Sequence, residues 1–347
     1  MFLSRPGRAG YLLRQLSGGP MQRVPAQGFE IRTRTSEDGV DMRLNGNDPP
    51  KGSLKYVIGV MRPRFLLLAV SCVFLGLSAS VWTGHAIHVW HAFLCFLGGV
   101  LAHGSVNAFN EYEDVKSGLD FRTTRTPFSG GSGTLVPVPH KLPIALWTGT
   151  LTAAVCIAIG VYFFVLYGWP ILAIGATGLF VILVYTPWLN KVPFLCLIAP
   201  GLGFGTLMVN GTYFALTGAF SWTALLVSFV PFFLVSNLLL LNQFPDVEAD
   251  KTVGRRHLPI AVGRKTSARI FAAFIAATYL TVILGVAIRL TPLWTLIALT
   301  SLVFAYPAAK GALEHPDNLE KLGRSMGQNV LSNLIAPVLV GIGLLIG

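Results

Sequence analysis

Charge is what this sequence has least of. Only 12% of its 347 residues are Asp, Glu, Lys or Arg, about half the share usual in soluble proteins. Hydrophobic residues reach 53%, so a soluble fold of this length would lack the polar surface to cover itself. Cysteine is scarce too. Cys72, Cys95, Cys156 and Cys196 stand alone in apolar runs, which excludes a disulfide framework or a Cys-based metal site and leaves small buried apolar residues. Acids number 15 against 26 basic residues, for a net charge of +11. No basic patch interleaved with aromatics accompanies that excess, so nucleic acid is not an expected partner.

Long uncharged runs are abundant. After a polar stretch over residues 1–60, apolar segments recur near 65–84, 87–110, 142–167, 169–186, 193–217, 221–242, 267–288, 292–312 and 327–346. A helix needs about 20 such residues to cross a bilayer, so the expectation is an all-α, polytopic bundle of about nine transmembrane helices. The polar tail carries Arg5, Arg8, Arg14 and Arg23 with no acid before Glu30. It resembles an organellar transit peptide in that respect, but a disordered cytoplasmic tail is the simpler expectation. It has no apolar core of the kind a cleavable secretory signal needs, and Met21, Met42 and Met61 are alternative starts. Residues 61–347 then form the membrane domain. With a cytoplasmic N-terminus, every Lys and Arg except Arg289 falls on the cytoplasmic side, as the positive-inside rule requires. A bacterial inner membrane is the expected location.

Two helix ends on that side carry carboxylates. The second segment runs into Asn110-Glu-Tyr-Glu-Asp114, followed by Lys116, Gly118 and Asp120. The sixth runs into Asn242-Gln-Phe-Pro-Asp246-Val-Glu-Ala-Asp250-Lys251. Asn242 and Asp246 each follow Asn110 and Asp114 by 132 residues, and the chain crosses four times between them, so both motifs face one compartment. Residues four apart on a helix share a face, which puts Asn242, Asp246 and Asp250 on one stripe and Asn110 and Asp114 on another. Asp120 falls off that stripe, and Gly118 supplies the helix break that swings it back. Four carboxylates and two amides make a hard oxygen cluster, suited to Mg²⁺ rather than zinc or copper. Since carboxylates alone would repel a diphosphate, the metal must lie between them. Arg62, Lys116, Arg122, Arg125, Lys191 and Lys251 are the basic candidates to complete the neutralisation.

These residues resemble the UbiA superfamily of intramembrane aromatic prenyltransferases over residues 60 to 347. The second motif fits the family's Asn-x-x-x-Asp-x-x-x-Asp in full. The first, with its last acid at Asp120, is similar to the branch that prenylates 1,4-dihydroxy-2-naphthoate for menaquinone, although Glu111 stands where that branch has Asp. The segment Arg122-Thr-Thr-Arg125-Thr-Pro-Phe-Ser-Gly-Gly departs from the menaquinone pattern. Arg62-Pro63 before the first span, and Tyr185 with Lys191 after the fourth, also match family features, the latter pair facing the diphosphate. The resemblance implies a nine-helix bundle that binds a prenyl diphosphate and an aromatic acceptor. In that reading Asp114, Asp120, Asp246 and Asp250 hold Mg²⁺, and Arg62, Asn110, Lys116, Arg122, Arg125, Tyr185, Lys191, Asn242 and Lys251 surround the diphosphate. The allylic cation needs a dry, aromatic pocket, with Phe109, Tyr112, Tyr185, Trp188 and Phe244 near enough in sequence to contribute. Asp120 or Glu111 could take the final proton.

His85, His88 and His91 recur at intervals of three without an acidic partner, which suits interfacial placement better than a metal site. His103 shares a face with Asn107 and could meet the acceptor, or be a satisfied intramembrane histidine. Asn210, Asn237 and Asn333 need helix–helix partners or a cavity. A transporter or channel is the rival from another class, but it would place ionisable groups near mid-bilayer. A phosphoalcohol transferase would show both carboxylate motifs in one local stretch.

Overall fold

Within a bilayer every backbone N–H and C=O must be satisfied inside its own segment, and the apolar runs accordingly form helices. The computed structural model describes residues 35–36, 39–40 and 53–347. The chain divides into two units, Met1–Asp48 and Pro49–Gly347. In the first, Thr35–Ser36 (β1) pairs antiparallel with Gly39–Val40 (β2), Thr35 opposite Val40. Most of the polar tail expected over residues 1–60 lies outside the described residues.

The second unit holds ten helices among the described residues. A short one, α1 (Ser53–Met61), precedes nine apolar segments. These are α2 (Pro63–Trp82), α3 (Val89–Lys116), α4 (Leu142–Tyr167), α5 (Trp169–Tyr185), α6 (Pro193–Thr217), α7 (Trp222–Thr252), α8 (Leu258–Ala287), α9 (Leu293–Glu314) and α10 (Leu319–Ile346). All but the short α5 are long and apolar enough to span a membrane. The expectation of about nine crossings is borne out, and the protein is a multi-pass membrane protein. Prolines open α2, α5, α6 and α8, where the missing N–H costs nothing. Ser221 accepts from the Thr223 and Ala224 amides to cap α7, and Asn318 caps α10 through the Lys321 amide.

Three differences from the sequence expectation concern helix ends. α3 runs on to Lys116 and α7 to Thr252, about two and three polar turns beyond the apolar stretch. α8 begins at Leu258 and kinks at Gly263 (φ 80°, ψ 159°), so the span read from apolar residues alone starts later. α1 is also new; its exposed Leu54 and Ile58 gave no sustained apolar period.

With no water to drive helices together in lipid, close packing has to do so. On α6, Gly201 and Gly205 bring the backbone onto α7. A Cβ at Gly205 would stand 2.6 Å from Phe232 Cα and 2.7 Å from the Ser228 carbonyl. The same stretch contains a π-turn, Leu202–Leu207. Elsewhere α8 packs on α7 and α10 on α2, around a core that includes Leu75, Leu234, Leu241, Phe244 and Phe271, and α3 packs on α4 around smaller clusters that include Leu94 with Phe163 and Ala108 with Ala145.

Candidate active site

One cavity of about 640 Å³ runs through the second unit. At one end it is lined by Arg62, Asn107, Asn110, Asp114, Asp120, Tyr185, Asn190, Asn242, Gln243, Asp246, Asp250, Arg255 and His257. Beyond His103 and Phe204 the lining turns apolar and reaches Leu94, Phe163 and Ile171. From Asp114 back to Leu94 is twenty residues of α3, or about 30 Å at 1.5 Å per residue. Ile157, Val161 and Leu172, on α4 and α5, line the cavity and are solvent-exposed. The groove therefore opens sideways between α4 and α5.

The ends of α3 and α7 supply the carboxylates. α3 stops at Lys116, Gly118 takes φ 78°, and a 3₁₀ turn over Leu119–Phe121 brings Asp120 into the cavity wall. The following loop folds back over it. Gly131, at φ 76°, lies so close that a Cβ there would be 2.7 Å from Asp120 Oδ1. Arg125 staples this loop, donating to the Gly130 carbonyl at 3.1 Å and the Asp120 carbonyl at 3.2 Å. Burial, then the nearby charges of Asp114 and Glu111, push the Asp120 carboxyl up to about 7.

The two motifs meet through Arg255. One guanidinium nitrogen donates to Asp250 Oδ1 at 3.0 Å, and the other contacts Asp114 Oδ1. His257 takes the second oxygen of Asp250 at 2.9 Å. Desolvation works against the Arg255 charge, but Asp114 and Asp250 outweigh it and hold its pKa above the ordinary guanidinium value. Arg62, also on the cavity wall, donates to Asn110 Oδ1 at 2.9 Å and reaches Glu111 at 3.4 Å.

The four carboxylates thus share one cavity but not one ligand shell. Among the described residues no three His, Cys, Asp or Glu side chains are placed to hold a metal ion. The chemistry nevertheless fits a hard divalent cation. Asp120 Oδ2, Asp246 Oδ1 and Asn242 Oδ1 are buried oxygens without a hydrogen-bond partner. Buried acceptors carry a desolvation cost that only a donor or a cation can offset.

Of the residues proposed for the diphosphate, Arg62, Asn110, Tyr185 and Asn242 line the cavity. Five basic or neighbouring candidates do not. Lys116 is exposed over the Tyr112 ring, Lys251 pairs with Glu248, and Arg122 reaches Thr252. Lys191 is exposed, and Arg125 serves the loop. Glu111, considered as a proton acceptor, is fully buried. Its oxygens accept from Ser132 Oγ at 2.7 Å, the Ser132 amide at 3.1 Å and Arg62, so it holds the loop rather than facing the cavity. Phe109, Tyr112, Trp188 and Phe244 also lie off the cavity wall, whereas Phe204 lies on it. Arg255 and His257 line the cavity and contact its aspartates, and sequence reasoning does not single them out for the site. In sequence Arg255 counts only among the cytoplasmic-side Lys and Arg, and its place five residues after Asp250 is the available signal.

The UbiA prenyltransferase family model matches residues 69–322. A 1,4-dihydroxy-2-naphthoate octaprenyltransferase of Bacillus subtilis is 29% identical over 247 residues, 70% of this chain and 77% of that protein. Among solved structures, a UbiA homolog from Aeropyrum pernix K1 superposes with a TM-score of 0.64 at 17% identity, covering 82% of this chain and 98% of that one. A homolog from Archaeoglobus fulgidus, bound to GPP and Mg²⁺, gives 0.51 at 14% identity, covering 84% and 100%.

Proposed function

The chain belongs to the UbiA prenyltransferase family, and from that premise we propose that it transfers a prenyl group from a prenyl diphosphate onto 1,4-dihydroxy-2-naphthoate in menaquinone biosynthesis. The observation that carries this reading is the shape of one cavity. Two Asn-x-x-x-Asp helix ends meet at its polar end, and an apolar groove leads from them toward lipid. A transporter would instead place its ionisable lining near mid-span, and here it gathers at one end. The named activity of the Bacillus subtilis relative supports the naphthoate acceptor. The Mg²⁺ and GPP bound by the Archaeoglobus fulgidus homolog support the cofactor and the donor.

Asp114, Asp120, Asp246 and Asp250 would hold Mg²⁺, which when bound supplies positive charge to the diphosphate as the allylic C–O bond breaks. Arg62 adds a fixed donor. Its Nε is buried and unpartnered, while Asn110 and Glu111 orient the rest of the guanidinium. Tyr185 and Asn242 complete the polar wall. The prenyl tail lies along the groove lined by α3, α4 and α5 and gains nothing by leaving it. Where the polar wall gives way to apolar lining, His103 and Phe204 pack edge to face with ring centroids 4.6 Å apart. An aromatic face there steadies an allylic cation, and the buried groove keeps water from it. The acceptor ring attacks the allylic carbon and loses a proton. With Glu111 turned away, Asp120 is the remaining acid of the two considered for that proton.

The catalytic unit is residues 61–347, in the inner membrane of a bacterium with the N-terminus cytoplasmic. The test is transfer by purified protein from labelled prenyl diphosphate to a panel of naphthoate, benzoate and quinolone acceptors, read by mass spectrometry. Prenylated naphthoate is expected, only with divalent metal. Preference for another ring overturns the acceptor, and the absence of any transfer overturns the reading.

A further inference from the structure

Arg255 sits three residues past the end of α7, its backbone amide bonded to the Asp250 carbonyl at 3.1 Å. Its side chain is 17% exposed and forms part of the cavity wall. It bridges Asp114 on α3 and Asp250 on α7, the two acids of the site whose oxygens are engaged. Asp120 and Asp246 each keep an unpartnered buried oxygen. The four acids therefore divide into a pair held by the guanidinium and a pair with no ion-pair contact of its own.

A guanidinium between two carboxylates relieves the same repulsion that a divalent ion would, and it uses lone pairs that a ligating oxygen needs for the metal. It also brings only one positive charge where the ion brings two. We propose that Arg255 is an exchangeable counter-ion. It competes with the divalent cation for Asp114 and Asp250, and on metal loading it turns its guanidinium to the diphosphate in the same cavity. The inference rests on the reading of these aspartates as metal ligands. It makes binding of metal and diphosphate mutually reinforcing: the ion releases a diphosphate donor, and the diphosphate gives that donor a new partner. Planar, bidentate geometry makes Arg suited to both partners in turn.

The test compares wild type, Arg255→Gln and Arg255→Lys in detergent, titrating Mn²⁺ by electron paramagnetic resonance with and without inorganic pyrophosphate. Removing the competitor should tighten binding of Mn²⁺ alone by about tenfold or more, the scale of one charge-assisted contact. Pyrophosphate should bind the Mn²⁺-loaded Gln variant weaker by a similar factor. Lys keeps the charge but loses the fork, and its Mn²⁺ affinity should fall between the other two. Should Arg255→Gln elute aggregated, Arg255→Lys against wild type carries the same comparison. Mn²⁺ affinity unchanged or weaker in the variants overturns the inference while leaving the metal site standing. Failure of wild type to bind Mn²⁺ even with pyrophosphate removes the metal reading and this inference with it.

Discussion

Gly131→Ala tests the site at the point where backbone and carboxylate come closest. Gly131 has φ 76°, and an alanine Cβ would stand 2.7 Å and 2.9 Å from the two oxygens of Asp120. Ordinary contact begins at 3.4 Å, so the carboxylate has to retreat by about 0.7 Å, the difference between 3.4 and 2.7. A shift near 1 Å at a reacting group can cost roughly a hundredfold in rate, which predicts a loss of about ten- to a hundredfold in transfer. The left-handed backbone adds roughly 1–2 kcal/mol of strain, worth only a few degrees of melting temperature in a chain of this size. Gly84→Ala is the matched control. Its φ is also 84° and its Cβ would meet nothing within 4 Å, so it carries similar backbone strain in the turn before α3, at the opposite end of that helix from Asp114. The assay is prenyl transfer at saturating divalent metal, paired with a thermal melt of each variant in detergent. Gly131→Ala within about twofold of wild type, or Gly84→Ala losing as much as Gly131→Ala, would refute the reasoning.

Asp114→Ala and Asp246→Asn should each abolish turnover while the protein still elutes as a folded species; near-normal activity in either contradicts the assigned site. Glu111→Gln leaves half-buried Arg62 without its carboxylate and weakens the bonds to Ser132. It should lower stability by about 1.5–3 kcal/mol, the worth of a charge-assisted hydrogen bond, and raise KM for the prenyl diphosphate; an unchanged melt and KM would show that Glu111 is idle. Gly98 lines the groove, and a Cβ there would meet nothing nearer than Ile159 at 3.6 Å. Gly98→Phe should therefore fold, block the groove part-way and favour geranyl over octaprenyl diphosphate, as a two-substrate competition would read. Equal use of both donors would place the tail elsewhere.

The bundle was legible because hydrophobicity marks bilayer-spanning helices without needing tertiary information. Its polar ends were not. The last turns of α3 and α7 hold the site, and hydropathy stops short of both. The i, i+4 spacing did identify Asn110 with Asp114, and Asn242 with Asp246 and Asp250, as cavity-lining stripes. The same geometry argued against two of the basic candidates. Lys116 is two residues from Asp114, about 200° around the helix, and Lys251 is one residue from Asp250, about 100° around. Both in fact point away. Arg255 and His257 were hidden for a different reason. They reach the aspartates through the turn after α7, where helical periodicity gives no direction. Glu111 shows the reverse error: its position in the motif suggested chemistry, and its burial beside Ser132 gives it a supporting role.

The sideways opening of the groove at Ile157, Val161 and Leu172 bears on how this enzyme meets its donor. A polyprenyl chain that enters laterally is never dissolved in the aqueous phase, so the quantity that governs saturation is its mole fraction among lipids. Diluting the sample with buffer leaves that fraction alone; adding lipid or detergent lowers it. Rates compared between micelles, nanodiscs and native membranes therefore become commensurable only when the donor is counted per amphiphile.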